Sequence, residues 1–206
     1  NFPTYKIHGF FMHSSYGFAA NKHALKAYLN QQIQRKIASA NLQNTPKTQN
    51  SYTAQANACM QKSFDAVGCS KKIILVNLEF LNTTHSVYRV LGKSLLALKQ
   101  NYILVGVAWP GYVHIDDDFF DDFITLSAAG DLYCAQEIMD IAAAYQPVAV
   151  YYPALGMSPW AIYHSNMRLA PLQFAAIGHG ASSFATEIDY FVIESDIAGD
   201  HSTYSE

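Results

Sequence analysis

The hydrophobic positions of the chain follow two different rhythms. Between residues 20 and 40, Leu25, Leu29, Ile33 and Ile37 recur at helical spacing, with Lys22, Lys26, Gln32 and Arg35 between them. This predicts one amphipathic helix. Residues 41–55 are rich in Asn, Gln, Thr and Ser and contain Pro46. They predict a polar connector or mobile loop, and the best candidate domain boundary. Residues 56–67 predict a second, shorter helix ended by Gly68. From Lys71 the rhythm changes. Apolar runs over 73–80, 102–108, 123–126, 147–152, 172–177 and 190–193 predict strands. Helical patterns fall between them. Residues 86–99 place Val90, Leu91, Leu95 and Leu98 on one face. Residues 131–145 have Asp131 as the expected cap and Leu132, Ile138, Ile141 and Ala142 inward. The third pattern, 158–167, opens on Ser158-Pro159, where Pro at the first helical position is favourable.

The strands are solidly apolar rather than alternating, so both faces of their sheet should be covered. Strand and helix in alternation imply βαβ units and a parallel sheet with helices on both faces. Ligands of such sheets sit beyond the carboxyl ends of the strands. That draws attention to the turns after Phe80, Ala108, Tyr152 and Ile177.

Composition narrows the picture. Only 14% of the 206 residues are charged, against about 25% in an ordinary soluble domain. Half are hydrophobic and 14% aromatic, which excludes a disordered chain. A net charge of −3 advertises no nucleic-acid partner. Three cysteines, Cys59, Cys69 and Cys134, form no Cys-x-x-Cys pair, so neither a disulfide framework nor a structural zinc site is expected and a reducing, cytoplasmic setting fits. No apolar run approaches the roughly 20 residues of a membrane span. The start at Asn1, without Met or a signal sequence, suggests an excised piece.

The turns carry the candidate chemistry. After the first strand comes Asn82-Thr83-Thr84-His85-Ser86-Val87-Tyr88-Arg89. Hydroxyls and a His at a helix N-terminus can hold a polar or anionic group, and His85 can serve as a base near neutral pH. The plainer reading is that Thr84 caps the helix and His85 is a solvated first-turn residue. After Tyr152, Gly156-Met157-Ser158 offers substrate contact or ordinary turn chemistry. After Ile177, Gly178-His179-Gly180 offers close backbone approach or a flexible loop. Asp116, Asp117, Asp118, Asp121 and Asp122 form an acidic cluster best read as a solvated helix start, with a metal site as the rival. His164 reads as packing. No dinucleotide fingerprint, Walker loop or nucleophile elbow is present.

Asn166-Met167-Arg168-Leu169-Ala170-Pro171-Leu172-Gln173, then Ile177-Gly178-His179, then Ile188-Asp189-Tyr190, resemble family 41 of the glycosyltransferases. Thr84-His85-Ser86-Val87-Tyr88-Arg89 and Tyr152-Pro153-Ala154-Leu155-Gly156-Met157 are similar to one branch of it, the bacterial cytoplasmic N-glucosyltransferases of high-molecular-weight adhesins. So is the Val-Ile-Glu-Ser-Asp stretch at 192–196. The similarity covers roughly residues 71–206 and is weaker before them.

The resemblance implies the N-terminal, acceptor-side half of a GT-B glycosyltransferase, a Rossmann-like unit over 56–206. Residues 1–55, a helical segment and polar linker, would be the tail of a preceding domain. It implies inverting transfer of glucose or N-acetylglucosamine from a UDP-sugar to Asn or Ser/Thr of an acceptor protein such as an adhesin. No metal or other cofactor is implied, since the UDP-sugar is a co-substrate. The partner would be a second Rossmann-like half, without which this half should be inactive. His85 matches the family's cleft-lining His-Ser-x-Tyr-Arg motif, as base or positioning group. Thr84, Ser86, Tyr88, Arg89, Gly156, Met157, Gly178 and His179 would contact substrate, and Arg168, Gln173 and Asp189 would be structural or cleft residues. Two departures stand out. Leu81 and Asn82 occupy the neighbourhood of a further His in the adhesin branch, and Gly180 replaces a Pro. A non-catalytic protein-binding module derived from such a transferase is the alternative. The charge-poor surface is then expected where the chain meets its neighbouring domains.

Overall fold

The computed structural model describes residues 6–18, 21–40, 42, 46–68, 71–116, 118–129, 132–176 and 183–193. Six parallel strands form one sheet in the order β5-β3-β1-β6-β7-β8. They are β1 (Lys72–Leu78), β3 (Tyr102–Ala108), β5 (Asp122–Thr125), β6 (Ala149–Tyr152), β7 (Leu172–Ala176) and β8 (Tyr190–Val192). Numbered among themselves along the chain, these strands run 3-2-1-4-5-6, the doubly wound Rossmann order. A two-residue ladder of β2 (Leu81–Asn82) with β4 (Val113–His114) lies beside the sheet.

The apolar runs become strands because both of their faces are buried. On β1, Ile73 and Leu75 face one core and Ile74, Val76 and Leu78 the other. The first core is closed by α3 (Pro46–Val67), α5 (Ala135–Tyr145) and α6 (Pro159–His164). The second is closed by α4 (Ser86–Lys99), through Val87 and Leu95, together with Phe119 and Phe120. Helices on both faces of a parallel sheet are as the alternation predicted.

The polar stretch read as a connector is helical from Pro46 onward. Its helix is held by tertiary contacts that composition does not reveal. Tyr52, Gln55, Ala56, Cys59 and Met60 recur at helical spacing and turn toward the sheet. The Tyr52 hydroxyl donates to Glu137 at 2.7 Å and Gln55 to Asp122 at 2.9 Å. Ala56 is fully buried. The helix expected from Asp131 starts only at Ala135, and Asp131 lies outside the described residues. Leu132, Tyr133 and Cys134 precede it with φ of 57°, 55° and 60°. Left-handed backbone at non-glycine residues is unfavourable, so this corner is held by its surroundings. The acidic cluster opens no helix. Asp121 accepts the Leu104 N–H at 2.8 Å, and Asp122, in β5, accepts the Tyr145 hydroxyl at 2.5 Å. Among the described residues no group of His, Cys, Asp or Glu gathers as a metal site.

Two further helices, α1 (Ile7–His13) and α2 (Ala24–Ser39), pack through Ile7, Phe11, Leu29 and Ile33 against Ile162 and Tyr163 of α6. The first of them is absent from the periodic pattern. Buried Asn30 of α2 donates to the carbonyls of Ser183 and Phe184 at 2.9 and 2.6 Å, and accepts from Asn166 at 2.9 Å. Phe10, Tyr16, Phe18 and Tyr28 remain exposed in the N-terminal helical region, as do Leu172, Tyr190 and Val192 on the last two strands. No helix among the described residues is long and apolar enough to cross a membrane.

The helix expected over 158–167 ends at His164, which sits wholly inside, in keeping with its reading as a packing residue. Its Nδ1 accepts from Asn77 at 2.8 Å and its Nε2 donates to the Tyr133 carbonyl at 2.9 Å. Burial pushes its pKa down to about 4, with the Tyr133 carbonyl opposing the shift. The unfolded imidazole takes a proton near pH 6.5 and the folded one does not, so stability is lost as the pH falls from 6.5 through 4. Urea unfolding across that interval should show this decline, and His164→Gln should flatten it even if less stable at neutral pH. In β3, an added Cβ on Gly106 would meet the Phe123 and Phe120 rings at 2.6 and 2.9 Å. Gly106→Ala should therefore cost about 1–3 kcal/mol of unfolding free energy in the same measurement.

Candidate functional site

Neighbouring strands β1 and β6 send their chains in opposite directions, toward β3 and toward β7. A doubly wound sheet leaves a crevice at this point, beyond the carboxyl ends of its strands. The two turns that flank it are 79–85 after β1 and 153–158 after β6.

The first turn is built from its own polar side chains. The Asn82 carboxamide oxygen accepts from the Thr84 N–H at 3.1 Å and the Thr84 hydroxyl at 2.8 Å. This side-chain turn delivers the chain into α4. The cap falls on His85 rather than Thr84. His85 is extended at φ −80° and ψ 146°, and its Nδ1 accepts the Val87 N–H at 3.3 Å. Its half-buried ring stacks on Phe80 with centroids 5.7 Å apart. Thr84, Ser86 and Arg89 are exposed beside it, and Tyr88 leans on Phe119.

From Phe80 a row of aromatic rings crosses the carboxyl edge. Phe80 meets Tyr112 at 5.0 Å, Tyr112 meets Trp160 at 4.8 Å, and Trp160 stacks on Trp109 at 5.4 Å. The β2–β4 ladder brings the Tyr112 segment over this edge.

The second turn is organised by Glu79, which sequence reasoning missed. Its side chain is buried, and one carboxylate oxygen accepts the N–H groups of Gly156, Met157 and Ser158 at 3.0, 3.2 and 3.0 Å. The other accepts Met157 again at 2.9 Å. Burial pushes the carboxyl pKa up to about 8, against the pull of these donors. The available signal was a single charge inside the apolar run 73–80. On its far side Gly156 faces Phe11 of α1, 3.3 Å from where a Cβ would stand.

Thr84 and His85 thus lie on the first turn, Ser86, Tyr88 and Arg89 on the first turn of α4 that follows it, and Gly156 and Met157 on the second turn. Gly178 and His179 lie outside the described residues. Arg168, Gln173 and Asp189 are elsewhere, around the amino-terminal ends of β7 and β8. Arg168 grips Asp189 with two bonds of 2.7 and 3.1 Å and Glu187 with one of 2.8 Å. Asp189 also accepts the Gln173 N–H at 2.7 Å, and the Arg168 guanidinium foremost, then this N–H, hold its pKa below the ordinary range. The buried Gln173 side chain bonds Met167, Leu169 and Glu187. These three residues tie the two last strands to each other.

A Rossmann sheet with chemistry at its switch point is shared by many enzymes, so the fold does not choose among them. Comparison with known proteins gives a narrower likeness. The chain is similar over its full length to bacterial UDP-glucose:protein N-beta-glucosyltransferases. The protein of that name from Actinobacillus pleuropneumoniae serotype 5b (strain L20) is 28% identical across the whole chain. Its counterpart from serotype 7 (strain AP76) is 29% identical across it. The chain spans 31% of the length of each. No protein-family model matches it. The likeness to N-glucosyltransferases anticipated from the motifs is therefore found, and it extends through the N-terminal helices as well.

Gly156 has a φ of +114°, where a side chain is strained, and Phe11 closes the space beside it. Gly156→Ala should lower stability by about 1–2 kcal/mol or more in urea unfolding. Adding Phe11→Ala should not restore the loss, because the backbone strain remains.

Proposed function

We propose that this chain forms the acceptor-side half of a GT-B protein glucosyltransferase that moves glucose from UDP-glucose to a side-chain nitrogen of an acceptor protein. The observation that carries the reading is the full-length similarity to proteins named for that activity. The Rossmann order and the polar groups gathered at its switch point support it. The nitrogen in the relatives' name favours an Asn amide over a Ser or Thr hydroxyl, and an adhesin is the proposed kind of acceptor. UDP-glucose is an α-glycoside, so the β linkage in that name favours inversion by a single displacement. A second Rossmann-like half would supply most contacts to UDP, in keeping with the 31% share of the relatives' length. Positive charge from protein groups there would stabilise the departing diphosphate without a metal. Membership of family 41 and a cytoplasmic site of action belong to the same proposal, and Cys59 and Cys134 are free thiols in keeping with a reducing compartment.

The geometry favours one of the two roles considered for His85. Its Nδ1 is occupied in accepting the Val87 N–H. In a neutral ring the proton then sits on Nε2, which donates and does not accept. His85 is read as a hydrogen-bond donor that positions a substrate oxygen, such as the carbonyl of the acceptor amide.

In an active transferase carrying this chain, His85→Ala should lower kcat/KM by roughly 10- to 100-fold, the size of one lost hydrogen bond to a bound substrate. The low-pH limb of the rate profile should survive the change. Loss of that limb, with a collapse of kcat, would assign His85 the role of base instead.

A further inference from the structure

Glu79 occupies a position that neither the motif nor the proposed chemistry uses. Three successive N–H groups, those of Gly156, Met157 and Ser158, converge on one of its oxygens. Successive backbone donors of this kind form a cradle for an anion. Here the protein's own carboxyl oxygen already occupies these donors, so a nucleotide phosphate has no place in this turn. The same residue precedes Phe80, on which the His85 ring stacks. One buried side chain thus fixes the turn that carries Gly156 and Met157 and anchors the start of the turn that carries His85.

We propose that Glu79 is a positioning residue that locks the two carboxyl-edge turns together and thereby sets the affinity for the acceptor rather than for the sugar donor. The second half of this statement rests on the transferase reading, whereas the lock itself does not. The filled cradle argues that this side of the cleft faces the acceptor. The lock is specific in its atoms. Gly156 and Ser158 donate only to the oxygen that takes three bonds, whereas Met157 also donates to the other. A carboxamide can keep the first oxygen and must lose the second, because its nitrogen is a donor.

The test compares Glu79→Gln with Glu79→Ala. Amide hydrogen exchange of the chain itself, followed by NMR, reads the lock directly. In Glu79→Gln, protection should persist at Gly156 and Ser158 and weaken at Met157. In Glu79→Ala it should vanish at all three, and the His85 ring resonances should shift. If the Ala variant does not fold, the Gln variant decides, since the pattern within the turn is residue-specific. Unchanged protection at Met157 in the Gln variant, or uniform loss across the fold, would overturn the lock. In an active transferase carrying this chain, Glu79→Ala should raise the acceptor KM by about tenfold or more and leave the UDP-glucose KM within about twofold. Glu79→Gln should recover most of that loss. A rise in the UDP-glucose KM instead would overturn the assignment to the acceptor. If the unaltered transferase moves no sugar, the transferase reading fails, and the exchange pattern still decides the lock.

Discussion

The arrangement at the carboxyl edge depends on one buried carboxyl group meeting three backbone N–H groups. A polar group in an apolar interior is unfavourable unless hydrogen bonds satisfy it. Glu79 meets that condition only because the turn after β6 bends back so that Gly156, Met157 and Ser158 present their N–H groups together. Gly156 makes the bend possible with its positive φ, and Phe11 of the N-terminal helices fills the space behind it. The constraint therefore runs from helix α1 through the β6–α6 turn to β1, and on through Phe80 to His85. The N-terminal helices belong to this chain of contacts. Asn30 ties the same helices to a different part of the fold, the carbonyls of residues 183 and 184.

Much of the sheet was legible in the sequence, because strands buried on both faces must be apolar throughout. The runs at 102–108 and 172–177 mark β3 and β7 almost residue for residue. Helix α4 was nearly as plain, with one apolar face and a polar one, except that Val90, expected inward, is exposed and Val87 is buried in its stead. Helix α3 was not. Its first half is polar, and what keeps it helical is a set of hydrogen bonds to Glu137 and Asp122, residues far along the chain. Local composition carries no trace of such partners. The start of α5 was misplaced for a related reason. Residues 132–134 adopt a left-handed path that no local preference favours, and Tyr133 is fixed there by the His164 donor and by the rings of Trp109 and Tyr163.

The candidate site divides along the same line. His85 and its hydroxyl neighbours stood out because polar residues interrupt an apolar pattern at a helix start. Arg168, Gln173 and Asp189 stood out by motif, yet in the folded chain they bond to one another and to the ends of β7 and β8. A recurrent sequence pattern reflects architecture as readily as chemistry. Glu79 went unnoticed because a single carboxylate in an apolar run has no meaning until its partners, some 77 to 79 residues away, are known. The scarcity of charge also takes on a clearer sense. Exposed apolar side chains occur in the N-terminal helical region and on the last two strands, and the carboxyl edge is lined by aromatic rings rather than by charges.

The burial of Glu79 is the claim on which the rest hangs, and its titration tests that claim most directly. The side-chain carboxyl can be labelled with carbon-13 and followed by NMR from acid to mildly alkaline pH. Buried as described, it should hold its proton until about pH 8. The sign of the linkage follows: the folded chain retains a proton that the unfolded chain gives up near pH 4.5, so this group lowers stability as the pH rises from 4.5 through 8. A carboxyl that instead titrates near 4.5 is not governed by burial, and that result would contradict the account.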